Sequence, residues 1–228
     1  MNVVVPIAGP DFISGNGSIK GLFHLDGVPL LKRTLDSRPW YAEVNHYSFI
    51  LYDCQVARLF ARDYLKLWYK NSSIVFISRF SRGATLSALA GLSVLSNFDH
   101  PLIIDLADIV FNSDVNIKCL FEESPNVDGI ALFFESTNPQ YSYLNCDSSG
   151  YLVEAAEKKV ISSHASTGTY IFRHCGSFLM AVAHAIQNES SQAYRDLFYV
   201  CPLFNGVIDQ GKQVLLAPVF NVLDIKNS

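Results

Sequence analysis

Nowhere do the 228 residues carry five or six charges of one sign in a row, and the totals nearly balance at 17 basic and 21 acidic, a formal charge of −4. Without a basic stripe to neutralise a phosphate backbone, nucleic acid is not expected as the main partner. An anionic substrate would have to be held by a few placed cations and a metal, because the net field does not attract it. Long apolar runs are missing too. The longest, such as residues 3–8 and 130–134, are strand-sized and far short of the ~18 residues of a membrane span, so no membrane insertion is expected. Residues 1–8 contain no positively charged lead into an apolar stretch, so no secretory signal is expected and the chain reads as cytoplasmic. Cysteine is sparse. The five present (Cys54, Cys119, Cys146, Cys175 and Cys201) are odd in number, form no Cys-x-x-Cys pair and read as reduced, mainly structural thiols.

Apolar residues, by contrast, make up 50% of the chain, enough for a sizeable core and too many for disorder. No repeat, low-complexity tract or long linker interrupts them, so one domain over residues 1–228 is expected. Aromatic residues reach 13%, which suits either a large core or a surface patch joining copies into a homo-oligomer, and the oligomeric state stays open.

Strand-like runs at 3–7, 47–52, 74–77, 102–105 and 130–134 alternate with helix-period stretches at 30–35, 56–69 and 85–95. Runs without polar alternation suit strands buried on both faces, and helices between them suit right-handed crossovers. The expected fold class is therefore α/β, three-layered, with a mostly parallel Rossmann-like sheet. Beyond residue 140, short aromatic runs at 141–146 and 151–154 flank Asp147-Ser148-Ser149-Gly150, a hairpin signal. A strand at 167–172, a helix at 177–186, a partly helical stretch at 192–208 started or kinked by Pro202, and a strand at 213–219 complete the pattern.

Three groups of residues have chemistry to offer. The first strand runs into Gly9-Pro10-Asp11-Phe12-Ile13-Ser14-Gly15-Asn16-Gly17-Ser18-Ile19-Lys20. Small residues let backbone N–H groups approach phosphate and the ammonium offsets charge, although ordinary surface turns also use glycine and the spacing is not a Walker A motif. Next, Asp105 and Asp108 lie at the end of an apolar strand, where open α/β sheets bind ligands. Asp108 is placed at the true strand end to hold Mg²⁺, which takes few carboxylates and keeps room for phosphate, whereas Asp105 falls inside the run and suits a structural hydrogen-bonding role. Third, Glu157-Lys158-Lys159 follows the hairpin; alone it would be a solvated charged face.

Taken together, Val3 to Gly9, Lys20 with Gly27-Val28-Pro29-Leu30-Leu31, Gly83-Ala84, Pro101 to Asp108, Glu157-Lys158 and Gly168-Thr169-Tyr170-Ile171-Phe172 resemble, in order and spacing, a sugar-1-phosphate nucleotidyltransferase of the capsule or lipopolysaccharide-cluster type. The resemblance spans roughly residues 1 to 220 and implies a GT-A-like sheet on which a sugar phosphate attacks the α-phosphorus of a nucleoside triphosphate, releasing pyrophosphate. It implies that Ala8, Gly9 and Gly83 lie at the nucleotide base and that Lys20 binds its phosphates. It implies that Asp108, with Asp224 near the C-terminus, holds Mg²⁺, that Glu157 meets the sugar hydroxyls, that Lys158 holds the sugar phosphate and that Gly168 leaves room beside the sugar. Sugar choice is expected to depend on the pocket near Phe198, Tyr199 and Asn205. The first loop departs from the family: no Arg precedes Lys20, Ile19 replaces a Pro, and the loop is about three residues short, as surface loops tolerate. Arg79 or Arg82 is expected to supply the missing positive charge. A glycosyltransferase, or a non-catalytic nucleotide-sugar binder with a regulatory role, is the competing expectation.

Overall fold

The structure, a computed structural model, describes residues 1–224. Its strands are β1 (Asn2–Pro6), β2 (His24–Leu25), β3 (Val28–Pro29), β4 (His46–Tyr52), β5 (Ser72–Ile77), β6 (Leu102–Asp105), β7 (Ile109–Asn112), β8 (Val127–Glu135), β9 (Tyr143–Cys146), β10 (Leu152–Ala156), β11 (His164–Phe172), β12 (Gln213–Pro218) and β13 (Phe220–Asp224). The helices are α1 (Leu30–Asp36), α2 (Gln55–Phe60), α3 (Lys66–Trp68), α4 (Ala84–Leu92), α5 (Ile117–Glu123), α6 (Cys175–Gln187), α7 (Glu189–Gln192) and α8 (Leu203–Asp209), with a π turn over Ala61–Leu65 joining α2 to α3.

The expected mixed α/β architecture with a mostly parallel sheet is what forms. β5, β4, β1 and β6 lie side by side in parallel; β11 follows antiparallel to β6, then β8 pairs with β11 and β12 runs parallel to β8. The β9–β10 hairpin extends the sheet from the first half of β11, where Ala165 faces Tyr143. Period-2 alternation then divides the core: Val4, Ile104 and Tyr170 pack on one face with α4, α6 and α8, and Val3, Val5, Ile103 and Ile171 on the other with α1, α2 and α5. Pro6, which has no N–H to give a ladder, is the last residue of β1, and the loop of candidate residues begins just past it.

Two departures from the sequence pattern bear on the site. The apolar stretch at 213–219 breaks after Pro218, and β13 turns away to pair antiparallel with β7, a partner more than a hundred positions earlier that no local pattern announces. In addition, β11 is longer than expected, starts at His164, and carries a register shift between Ser166 and Tyr170 that sets Gly168 at φ 77°.

Candidate functional site

The two strand-end aspartates separate cleanly by environment. Asp105 is fully buried and accepts two hydrogen bonds from Arg38, Nε to Oδ2 at 2.7 Å and Nη2 to Oδ1 at 2.9 Å. Its Oδ1 also takes the Ala107 N–H at 2.9 Å, while Arg38 Nη1 reaches the Ile109 carbonyl at 3.0 Å and its guanidinium lies 4.0 Å from the Phe111 ring centre. Asp105 is thus a structural residue. Asp108, about a quarter exposed, meets Lys20, whose Nζ lies 3.2 Å from its Oδ1. Ala107 between them has φ 54°, which lets the chain turn Asp105 inward and Asp108 outward within four residues. β11 steadies this bend from the side: Thr169 pairs with Asp105, and the Gly168 carbonyl accepts the Leu106 N–H at 3.0 Å.

The first loop folds back on itself. Ile13 bridges Ile19, the Ser14 N–H bonds the Ser18 carbonyl at 2.9 Å, and Gly17, at φ 82°, closes the turn. Its glycine-rich tip is therefore a small hairpin, and Lys20 stands at its base. Ile19 is buried, and the Lys20 N–H is held by the Phe12 carbonyl at 3.0 Å. Gly9 has open space where a Cβ would stand and, with Pro10, Phe12, Tyr52, Cys54 and Phe80, lines an apolar cavity of about 200 Å³. Tyr52 and Phe80 stack there at 4.6 Å. Ala8 is buried beneath.

At Gly83 the structure gives a reason other than contact with a base. Gly83 has φ 100°, and a Cβ there would stand 2.3 Å from the Phe198 carbonyl oxygen, so the missing side chain admits the Phe198 backbone. Phe198 bonds both sides of it, donating to the Arg82 carbonyl at 2.9 Å and accepting from the Thr85 N–H at 3.2 Å. Arg82, expected to lend its charge to the first loop, has protein partners in the structure. Its side chain is paired with Glu189, bonds the Asp196 carbonyl at 3.1 Å and lies over the Phe198 ring, which ties α7 and the 195–198 loop to the start of α4. Arg79 is exposed, with no side-chain hydrogen bond or ion pair to another of the described residues.

Glu157 accepts a hydrogen bond from Ser142, and Lys158, exposed and at φ 51°, holds its Nζ 5.7 Å from the Tyr199 ring centre. Behind them, burial pushes the Tyr170 phenol and the Cys201 thiol well above their usual ranges, with the Glu157 charge adding to both, so this wall of the site is neutral at ordinary pH. Asn205, expected beside the sugar, is bonded to the neighbouring strand. Its Oδ1 accepts the Ala155 N–H at 2.8 Å and its Nδ2 donates to the Ala155 carbonyl at 2.9 Å, so the amide clamps β10 from α8 and sets the exit of the strand leading to Glu157. Arg38 and Ser142 escaped the sequence reading, since neither belongs to a motif.

Among the described residues no group of three or more His, Cys, Asp or Glu is arranged for a metal, so an all-protein cage is absent there. One outward carboxylate suits a hard ion that draws the rest of its oxygen shell from water and phosphate. The register of β13 sets Asp224 opposite Ile109, the residue after Asp108; the side chain of Asp224 lies outside those described. A larger cavity, about 460 Å³, opens at the other ends of the strands between Asp128, Arg173, His174 and Lys212. Its Arg173 is spent on the carbonyls of Phe121, Ser124 and Val127 and on Asp128, and the Lys20–Asp108 pair stands at the opposite ends of the strands.

No family model matches the chain, and no curated protein matches it. Solved structures do. A nucleoside-diphosphate-sugar pyrophosphorylase from Vibrio cholerae RC9 superposes with a TM-score of 0.83 at 22% identity, over 99% of this chain and 95% of that one. The fold is that of these pyrophosphorylases. The inositol-1-phosphate CTP transferase from T. maritima (TM-score 0.69, 12% identity, 97% of this chain and 86% of that one) and a UDP-glucose pyrophosphorylase complexed with UDP-glucose (0.68, 12%, 97% and 91%) share it. Among the described residues, no helix is long and apolar enough to cross a membrane.

Proposed function

We propose that this protein is a nucleotidyltransferase that condenses a nucleoside triphosphate with a sugar-1-phosphate, giving a nucleotide-activated sugar and pyrophosphate for surface polysaccharide synthesis. The observation that carries the reading is the meeting of Lys20 and Asp108 at the carboxyl ends of β1 and β6, neighbouring parallel strands of a pyrophosphorylase-type sheet. Open α/β sheets bind ligands at such strand ends, and nucleotidyl transfer asks of the protein mainly positioning and offset of charge. The inositol-1-phosphate transferase among the neighbours keeps a phosphorylated alcohol within the substrate class.

In this reading Gly9 and the apolar cavity beside it receive the base, Lys20 binds the triphosphate, and Asp108 holds Mg²⁺ with Asp224 as its second carboxylate. Bound there, Mg²⁺ would neutralise phosphate charge that builds during transfer. Glu157, oriented by Ser142, takes the sugar hydroxyls, Lys158 takes the sugar phosphate, and Gly168 leaves the floor between them open. The sugar phosphate oxygen attacks the α-phosphorus, and pyrophosphate departs along Lys20. Pyrophosphate release over a matrix of nucleoside triphosphates and sugar-1-phosphates with Mg²⁺ tests this directly; no release from any pair overturns it. The pairing of Arg82 with Glu189 favours a second reading, a non-catalytic nucleotide-sugar binder, because Arg82 would have to give up that partner to replace the absent loop Arg. Nucleotide-sugar binding without turnover in the same matrix would decide for it.

A further inference from the structure

The bend that presents Asp108 is held by groups that no ligand would touch. Asp105 Oδ1 grips the Ala107 N–H at 2.9 Å, Arg38 Nη1 grips the Ile109 carbonyl at 3.0 Å, and the two grips are joined by the bidentate Arg38–Asp105 pair. Both side chains are 1% exposed or less. A guanidinium fork can bind a carboxylate and a backbone carbonyl at once, which a lysine cannot do in the same geometry. Only Asp108 lies between the two gripped residues, and Ala107 is held at φ 54°, in a region that residues other than glycine seldom occupy. The two residues between the aspartates, Leu106 and Ala107, are therefore folded into a bend whose shape depends on the buried pair.

We infer that Arg38 and Asp105 are positioning residues for Asp108: the buried pair fixes the 105–109 bend, and with it the direction and affinity of the Asp108 carboxylate toward a divalent cation. This rests on the reading of Asp108 as the metal-holding residue. Groups behind a ligating carboxylate commonly change metal affinity about 10- to 100-fold when altered, because they decide how much of the ligand's freedom must be lost on binding.

The test is Mn²⁺ titration of the purified protein followed by EPR, using the metal alone, beside thermal melts of each variant. Asp108→Asn should remove the Asp108-dependent binding. Arg38→Lys and Asp105→Asn should weaken Mn²⁺ binding at least about tenfold. Ala107→Val provides a version that leaves the buried pair intact: a β-branched residue is strongly disfavoured at that φ, so the bend must move while the core does not. It should weaken Mn²⁺ to a similar degree in a protein that stays folded, its melting temperature lowered by no more than the strain of one residue accounts for, even if the buried variants fail to fold. Loss of binding in Asp108→Asn with unaltered affinity in Ala107→Val, or in folded Arg38→Lys, overturns the inference and leaves the functional reading standing. Unaltered affinity in Asp108→Asn removes the metal site itself and both claims with it.

Discussion

Lys20 Nζ and Asp108 Oδ1 meet at 3.2 Å although 88 positions separate them, because the loops that carry them leave adjacent parallel strands at the same end. Each side chain is about a quarter exposed, so water screens the pair and its contribution to stability is small, about 1 kcal/mol or less. Its consequence is that each charge is already partnered before ligands arrive and must exchange that partner for phosphate or metal. Asp108→Asn should therefore change the melting temperature by only a few degrees while abolishing turnover and Mg²⁺-dependent triphosphate binding. Calorimetric titration with nucleotide, with and without Mg²⁺, checks it; retention of the Mg²⁺ dependence would remove Asp108 from the role.

At Gly83 a cost in stability is expected instead. A methyl group there would stand 2.3 Å from the Phe198 carbonyl oxygen, backbone that cannot swing aside, and the backbone at φ 100° disfavours any side chain. Gly83→Ala should lose about 2 kcal/mol or more in urea unfolding. A loss within experimental error would mean that Phe198 does not close on this turn.

The two arginines should part company. Arg82 is committed to Glu189, the Asp196 carbonyl and the Phe198 ring, whereas Arg79 is exposed beside the cavity wall formed by Phe80. Arg79→Ala alone should weaken triphosphate binding about tenfold, equivalent to ~1.4 kcal/mol, and Arg82→Ala should act mainly on the melting temperature. Equal small effects on binding would leave the first loop without a substitute cation.

Much of this fold was legible because strands buried on both faces leave an unbroken apolar signature, as β1 and β6 do, and because Asp105 inside such a run has only another buried group to meet. Asp108 was legible by its place one step outside. What local pattern could not carry were partnerships across the chain. Arg38 reaches Asp105 over 67 positions, Asn205 clamps Ala155 over 50, and β13 turns from β12 to β7. The close approach of Phe198 explains Gly83 by packing where motif order had pointed to a ligand.

On the sugar side, Lys158 projects from an exposed position toward Tyr199, while Glu157 is oriented by Ser142. Lys158→Ala should raise the KM for sugar phosphate at least about tenfold, with a smaller change for the nucleotide, because only one substrate loses a charged contact. Steady-state kinetics with each substrate varied in turn separates the two. Equal changes in both constants would place Lys158 between the substrates or outside the site.

Stability should fall on the alkaline side. Burial pushes the Cys175 thiol up to about 11 and raises Cys201 well above the usual thiol range, and it raises the phenols of Tyr47, Tyr69 and Tyr170, helped by the nearby charges of Asp105, Asp36 and Glu157 among others. In the unfolded chain thiols release their protons near about 8.5 and phenols near about 10. Above those values the folded state binds more protons than the unfolded one, so unfolding becomes easier as pH rises. The stabilising difference is fully present below about pH 8, declines first through the two thiols and then more steeply through the three phenols, each contributing up to about 1.4 kcal/mol per pH unit. Urea unfolding at pH 7.5, 9.5 and 10.5 should show this two-stage decline. Tyr47→Phe, which removes one phenol from a buried wall without removing its ring, should flatten only the upper stage. A free energy of unfolding that stays constant to pH 10.5 would mean that these groups are reached by water in the folded protein.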